Sequence, residues 1–216
     1  LELIVCTEII SKNNLNKLSE FFSSSQINDF SKILFEEITY KKNKDGIVGL
    51  IESKENSIKN FQLSKNPYIL IAESPEKPGN IGALLRTADA AGMDGLIISN
   101  PSTELYNPNS VRSSLGSLFT MQIAIDSTEN IIDFLKKNKI KIYSTFIENS
   151  VNYLDINYKE PCAIVVGKES SSLSNLWEIE SDNLIKVPMK GKMDSLNLSV
   201  CAAIVIFEGL KQRNGN

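Results

Sequence analysis

Lys77-Pro-Gly-Asn-Ile-Gly-Ala-Leu-Leu-Arg-Thr-Ala-Asp-Ala-Ala-Gly92 stands between two apolar runs, Tyr68-Ile-Leu-Ile-Ala72 and Leu96-Ile-Ile98. The order reads as a strand, a tight polar turn, a helix and a second strand. The helix is expected over about 81–91, with Asn80 at or near its start and Arg86 on its second turn. Arginine is scarce here: Arg86, Arg112 and Arg213 are the three in the chain, and the other basic residues are lysines. An arginine in an alanine-rich apolar helix implies a need for a planar, permanently charged group with several donors.

Working outward, strand and helix patterns alternate from Tyr68 onward. Strands are expected at 68–73, 95–99, 121–125, 141–146, 162–167 and 184–188. Helices are expected near 81–91, 107–115, 128–138 and 196–211, with a shorter one near 173–179. Apolar strands alternating with helices predict an α/β fold, a parallel sheet with helices on both faces. Such sheets bind ligands at the carboxyl ends of their strands, and each polar motif follows an expected strand.

Residues 1–60 read differently, as a small α/β domain truncated at its N-terminus. Leu1–Cys6 is an expected strand. Ile27, Phe30, Leu34 and Ile38 fall at helical spacing, with Asn28 as the cap, and 46–51 reads as a second strand. The polar, lysine-rich stretch 52–67 is the expected linker to a domain over 67–216. The chain starts at Leu1, so it is expected to begin inside a longer protein.

Composition narrows the chemistry. A hydrophobic fraction of 42% supplies a packed core and argues against disorder. The longest apolar run, Val200–Phe207, is too short to span a bilayer. Cys6, Cys162 and Cys201 have neither the number nor the spacing of a disulfide framework or a zinc site; they read as buried thiols in a reducing, cytoplasmic compartment. No histidine is present, which excludes Ser-His and Cys-His catalysis and histidine-bound metal. Pro78-Gly-Asn-Ile-Gly82 lacks the spacing of a dinucleotide-binding loop. The net charge of −3 runs mildly against nucleic acid as a partner. Lysines cluster locally, however, at 41–44, 136–141 and 190–192, the middle cluster reading best as a solvated face.

Three blocks carry a resemblance. Asn80-Ile-Gly-Ala-Leu-Leu-Arg86-Thr-Ala is similar to the first motif of the SpoU (TrmH-like) branch of the SPOUT RNA methyltransferases. Ala163-Ile-Val-Val-Gly167-Lys-Glu169-Ser-Ser-Ser-Leu-Ser174 resembles the second. Val187-Pro-Met-Lys-Gly191-Lys-Met-Asp-Ser195-Leu-Asn197-Leu-Ser199 resembles the third. The three stand in the family's order. The resemblance implies transfer of a methyl group from S-adenosylmethionine to a ribose 2′-hydroxyl of structured RNA, rRNA before tRNA, without a metal. It implies a C-terminal trefoil knot, which ordinary chain rules would not predict, and a homodimer whose motif-one residues complete the partner's site.

The resemblance also assigns residues. Arg86 activates the hydroxyl, with Asn80, Glu169, Ser195 and Asn197 as the other polar groups of the active site. Gly167, Val187, Met189, Leu196 and Thr145 surround the cofactor. Arg112, Lys190 and Lys192 face RNA. Plainer roles stand beside these: helix caps for Asn80, Ser195 and Asn197, a first-turn carboxylate for Glu169, and surface charges for Arg86 and Arg112. Ser170 and Ser172 replace glycines usual in the family, a change that reshapes the loop if φ > 0 is needed there. A knotted RNA-binding or assembly protein with weak or no methyl transfer is the alternative reading.

Overall fold

A computed structural model describes residues 1–39, 45–167, 172–192 and 195–215. They form two compact units, Leu1–Glu55 and Asn56–Asn216.

The first unit contains β1 (Glu2–Val5), α1 (Lys12–Phe21), β2 (Ile27–Asp29), α2 (Lys32–Ile38) and β3 (Ile47–Leu50), with sheet order β2-β1-β3. β1 runs parallel to β2, Ile4 opposite Asn28, and antiparallel to β3, Ile4 opposite Val48. Here the expected helix from Ile27 is corrected. Residues 27–29 are a strand, and Ser31 occupies the cap position. Pairing to β1 wins because it is anchored at its end: the Asp29 carboxylate accepts from the Thr7 N–H at 3.1 Å and the Thr7 hydroxyl at 3.0 Å. The buried residue of α2 is Phe35, which joins Ile4 and Cys6, while Leu34 and Ile38 remain exposed.

The linker is also shorter than expected. Residues 51–56 are coil, of which 51–55 are exposed, but Ser57 bridges to Ile125, and Ile58 and Phe61 are buried in the second unit's core. Apolar residues two or three apart in a polar stretch give no periodic signal, so the stretch looks like linker in sequence.

The second unit contains β4 (Tyr68–Glu73), α3 (Pro78–Ala90), β5 (Gly95–Ser99), α4 (Pro108–Ser114), α5 (Ser117–Thr120), β6 (Gln122–Asp126), α6 (Thr128–Lys137), β7 (Lys141–Thr145), β8 (Val151–Asn152), β9 (Cys162–Val166), α7 (Asn175–Glu180), β10 (Asn183–Lys186) and α8 (Leu198–Arg213). Seven strands are ordered β6-β5-β4-β9-β7-β10-β8, and every pairing is parallel. The period-two alternation of a strand splits β4 between two cores. Tyr68, Leu70 and Ala72 pack with α3 and α8 residues such as Ile81, Leu85, Ala202 and Ile206; Ile69 and Ile71 pack with Ile131, Leu135 and Trp177. No helix among the described residues is long and apolar enough to cross a membrane.

α3 opens three residues earlier than expected, because Pro78 at its first turn presets a helical φ. Asn80 is therefore inside the first turn and buried, not a cap, and Arg86 lies on the third turn, not the second. α4 packs closely on α3 at Gly82, where a Cβ would come within 2.5 Å of the Ser114 backbone nitrogen. That contact accounts for glycine in the middle of a helix better than any local preference.

Candidate active site

Three adjacent strands end together. β7 and β10 align Thr145 with Ile185, and β7 and β9 align Ser144 with Val165. Thr145, Gly167 and Val187 thus lie within about two residues of one another in register, at the carboxyl edge of the sheet. The Thr145 hydroxyl donates to the Val165 carbonyl at 3.1 Å, and the Phe146 N–H donates to the Ile185 carbonyl at 3.0 Å. Gly167 is closely covered: a Cβ there would lie 3.0 Å from Leu173. Val187 is partly buried against the core, whereas Met189 and Leu196 are 36% and 40% exposed. Apolar side chains left open beside a strand edge suit the flat face of a base.

Two of the polar candidates meet. Asn197 caps α8, its side-chain oxygen accepting from the Ser199 N–H at 3.0 Å and the Ser199 hydroxyl at 2.7 Å. Its amide nitrogen reaches Asn80 Oδ1 at 3.4 Å. The capping role and the site role of Asn197 therefore coexist in one side chain, and they join the start of α8 to the first turn of α3. Ser195 is exposed two residues before this cap.

Arg86 does not join that pair within one chain. Six residues advance a helix by about 600°, so Asn80 and Arg86 point some 120° apart, with about 9 Å of axial rise between them. Arg86 is exposed and has no hydrogen-bond or ion-pair partner among the described residues. It lines a groove of about 490 Å³ with Ala83, Asp89, Leu115, Ser117 and Phe207. Leu115 is 74% exposed and adopts a left-handed backbone, φ 49°. Sequence patterning missed this groove, since its apolar members come from the ends of α4 and the back of α8.

The remaining candidates are dispersed. Arg112 is exposed on α4, and Lys190 and Lys192 are exposed between β10 and α8. Glu169 and Ser170 lie outside the described residues, as does the lysine cluster at 41–44; Ser172 is exposed. In the middle lysine cluster, Lys136 pairs with Glu180, and Lys141 with Asp182 at 2.7 Å. Those pairs agree with a solvated face.

Also missed was Glu73, the acid ending β4. It is buried, and it accepts hydrogen bonds from Ser174, Trp177 and Thr128. The available signal was a single carboxylate closing an otherwise apolar strand. The strongly shifted groups lie at the opposite, amino edge of the sheet. Burial pushes the Cys162 thiol up to about 11 and the Tyr143 phenol up to about 12. These are packing effects with no place in the site.

An all-parallel sheet with its polar motifs gathered at one carboxyl edge defines the class: an α/β protein with its site at the strand ends. A model of the SpoU rRNA Methylase family matches residues 67–207, and the chain belongs to that family. It is 27% identical over 203 residues to the 23S rRNA (guanosine(2553)-2′-O)-methyltransferase RlmP of Bacillus subtilis, covering 94% of this chain and 80% of that one. It is 29% identical over 173 residues to the 23S rRNA (uridine(2479)-2′-O)-methyltransferase of Streptomyces viridochromogenes; the match spans 77% of this chain and only 60% of that protein's length. The fold is similar to the crystal structure of the SpoU methyltransferase AviRb from S. viridochromogenes in complex with AdoMet, with a TM-score of 0.87 and 26% identity over 100% of this chain and 83% of that one. AdoMet-bound rRNA methyltransferase from Sinorhizobium meliloti gives a TM-score of 0.87 and 25% identity over 97% and 79%.

Proposed function

We propose that this protein transfers a methyl group from S-adenosylmethionine to a ribose 2′-hydroxyl of RNA in the cytoplasm, with rRNA favoured over tRNA. The observation that carries the reading is the Asn80–Asn197 contact beside the convergent ends of β7, β9 and β10. It is supported by AdoMet-bound neighbours of the same fold and by relatives named for 2′-O-methylation of 23S rRNA.

The donor set fits the cofactor. Val187, Met189 and Leu196 offer apolar faces to an adenine, and the ends of β9 and β10 offer backbone groups close by. When bound, the cofactor supplies an electrophilic methyl group. The chain's own tasks are positioning and charge stabilisation. Asn80, Ser195 and Asn197 orient ribose and cofactor through amide and hydroxyl groups. Glu169 is the carboxylate of the proposed site. Arg86 holds the hydroxyl oxygen as its proton passes to water or to a phosphate of the RNA; a guanidinium stabilises the forming alkoxide and is too weak a base to keep the proton itself. Lys190, Lys192 and Arg112 contact phosphates.

The separation of Arg86 from Asn80 supports a homodimer in which Arg86 serves the partner's site, with Leu115 and Phe207 in the interface. The strand order supports a knot: β9 enters between β4 and β7, β10 lies beyond β7, and α8 then returns to pack on α3 and β4. We assign residues 1–60 to RNA binding and 67–216 to catalysis.

Calorimetric titration with S-adenosylmethionine tests the reading, followed by mapping of 2′-O-methyl groups in rRNA treated with the protein. One saturable site per chain and a new modified ribose are expected. Absence of binding at millimolar cofactor overturns it.

A further inference from the structure

Glu73 ends β4, an interior strand of the sheet, and is 5% exposed. It has no ion pair among the described residues. An uncompensated buried carboxylate is costly, so its oxygens must be met by donors. Oε1 accepts from the Ser174 hydroxyl at 2.7 Å, the Trp177 indole at 3.1 Å and the Thr128 hydroxyl at 3.3 Å. Oε2 accepts from the Ser174 N–H at 2.8 Å. Three of the four donors thus come from Ser174, which closes the second motif, and from Trp177, three residues beyond it. Thr128 is itself held by Ser99 at 2.5 Å and Asn100 at 3.0 Å, which ties the carboxylate to the ends of β5 and α6.

This arrangement bears on one segment. Its first end, Gly167, follows β9, which pairs with β4 at Ala72–Val166. Its far end, Ser174, is bound twice by Glu73, and Leu173 beside it covers Gly167.

We infer that Glu73 is a positioning residue for the cofactor: by holding Ser174, and through it Leu173 against Gly167, it fixes Gly167 at the end of β9, where S-adenosylmethionine is proposed to bind. The inference rests on the proposed function and adds to it a residue that touches neither substrate nor cofactor. A carboxylate is required because every neighbour donates. In Glu73→Gln, one of the two positions must present N–H groups to the Ser174 N–H or to the indole, and Ser174 or Trp177 has to shift.

The chain contains one tryptophan, Trp177. Its fluorescence therefore reports the Glu73 contact directly, while calorimetry titrates the cofactor. In the full-length protein, E73Q is expected to shift Trp177 emission and to weaken S-adenosylmethionine binding about tenfold, the scale of a lost hydrogen bond to a charged group. Turnover at saturating cofactor should stay within about threefold of the parent, because the catalytic groups are untouched. A purely structural role would instead lower the folded fraction, and hence kcat, at constant KM for the cofactor. E73Q that is folded and binds with the parent's affinity overturns the inference, as does a fall in kcat alone. Should E73Q not fold, S174A gives the answer: it keeps the backbone bond, loses the hydroxyl, and is expected to weaken binding about threefold. Unchanged affinity in S174A then overturns the inference. A parent protein that binds no S-adenosylmethionine defeats the proposed function itself, and is told apart from the other outcomes because the parent is measured first.

Discussion

Arg86 is a side chain whose exposure and solitude make it informative. With no partner among the described residues, it contributes little to folding, and removing it should leave stability within about 0.5 kcal/mol of the parent. In the proposed role, its charge acts when the alkoxide forms. Arg86→Ala is therefore expected to bind S-adenosylmethionine normally, to melt normally, and to lose at least about a hundredfold in turnover, the scale of a removed transition-state donor. Single-turnover methylation alongside thermal melting checks the pair of outcomes; a normal rate would sink the assigned role. At this scale the motifs were legible because their residue types are chemically unusual in context: an arginine among alanines, an Asn directly before a long apolar helix. Glu73 was not legible. An acid at the end of an apolar strand resembles the first solvated residue after it, and only the fold brings Ser174, a hundred and one positions later, onto its oxygens.

Among the elements, α8 has the most specific anchor. Its last residue, Arg213, donates to the carbonyls of Tyr158, Asn66, Pro67 and Glu160 at 2.6–3.0 Å, and its guanidinium stacks 4.5 Å from the Tyr68 ring. A cation at a helix C-terminus also offsets the helix dipole. Arg213→Ala should cost about 2 kcal/mol, read from urea unfolding, since several charge-assisted bonds are lost at a partly exposed position. Arg213→Lys should recover less than half of that, because a point charge cannot serve a fork of carbonyls. The same corner holds the phenols of Tyr68, Tyr143 and Tyr158 and the thiol of Cys162. Burial raises the thiol from an ordinary 9.0 to about 11 and Tyr143 from 10.0 to about 12. Their neutral forms are the ones the fold prefers. The stability they supply is thus complete below about pH 9 and is lost as pH rises through 11 and 12. Urea midpoints should be flat with respect to these groups up to pH 9 and fall steeply above it; a midpoint that rises between pH 9 and 11 contradicts the assignment.

Why some elements were readable follows from their length and burial. A strand covered on both faces is a continuous apolar run, so β4, β5 and β9 stand out from their neighbours. β2 has three residues and β8 two, too few to show any period. For Ile27–Ile38, a chance helical spacing competed with a pairing that depends on Thr7 and Asp29, residues twenty-two positions apart.

At the scale of the whole molecule, strand order was beyond sequence reading. Nothing local says that β9 enters between β4 and β7, because that choice is made by packing among strands with similar apolar runs. The division of the chain was partly legible, and its boundary yields a test. Residues 51–56 are coil, and 51–55 are exposed; they contain Lys54. The second unit has apolar cores on both faces of its sheet, built from residues 58 onward. Cleavage after Lys54 would retain Asn56, whose carbonyl accepts from the Ile125 N–H at 2.7 Å. Brief trypsin treatment should therefore cut at Lys54 and leave a stable fragment beginning at Glu55, because proteolysis favours exposed coil outside a packed core. If the first unit serves RNA and the second serves the cofactor, that fragment should keep S-adenosylmethionine affinity within about threefold while losing at least about tenfold in methylation of RNA, as expected when one of two binding modules is removed. A fragment that methylates RNA as fast as the intact chain would remove the first unit from substrate recognition. One that has lost the cofactor would mean that the two units do not divide the work at this boundary.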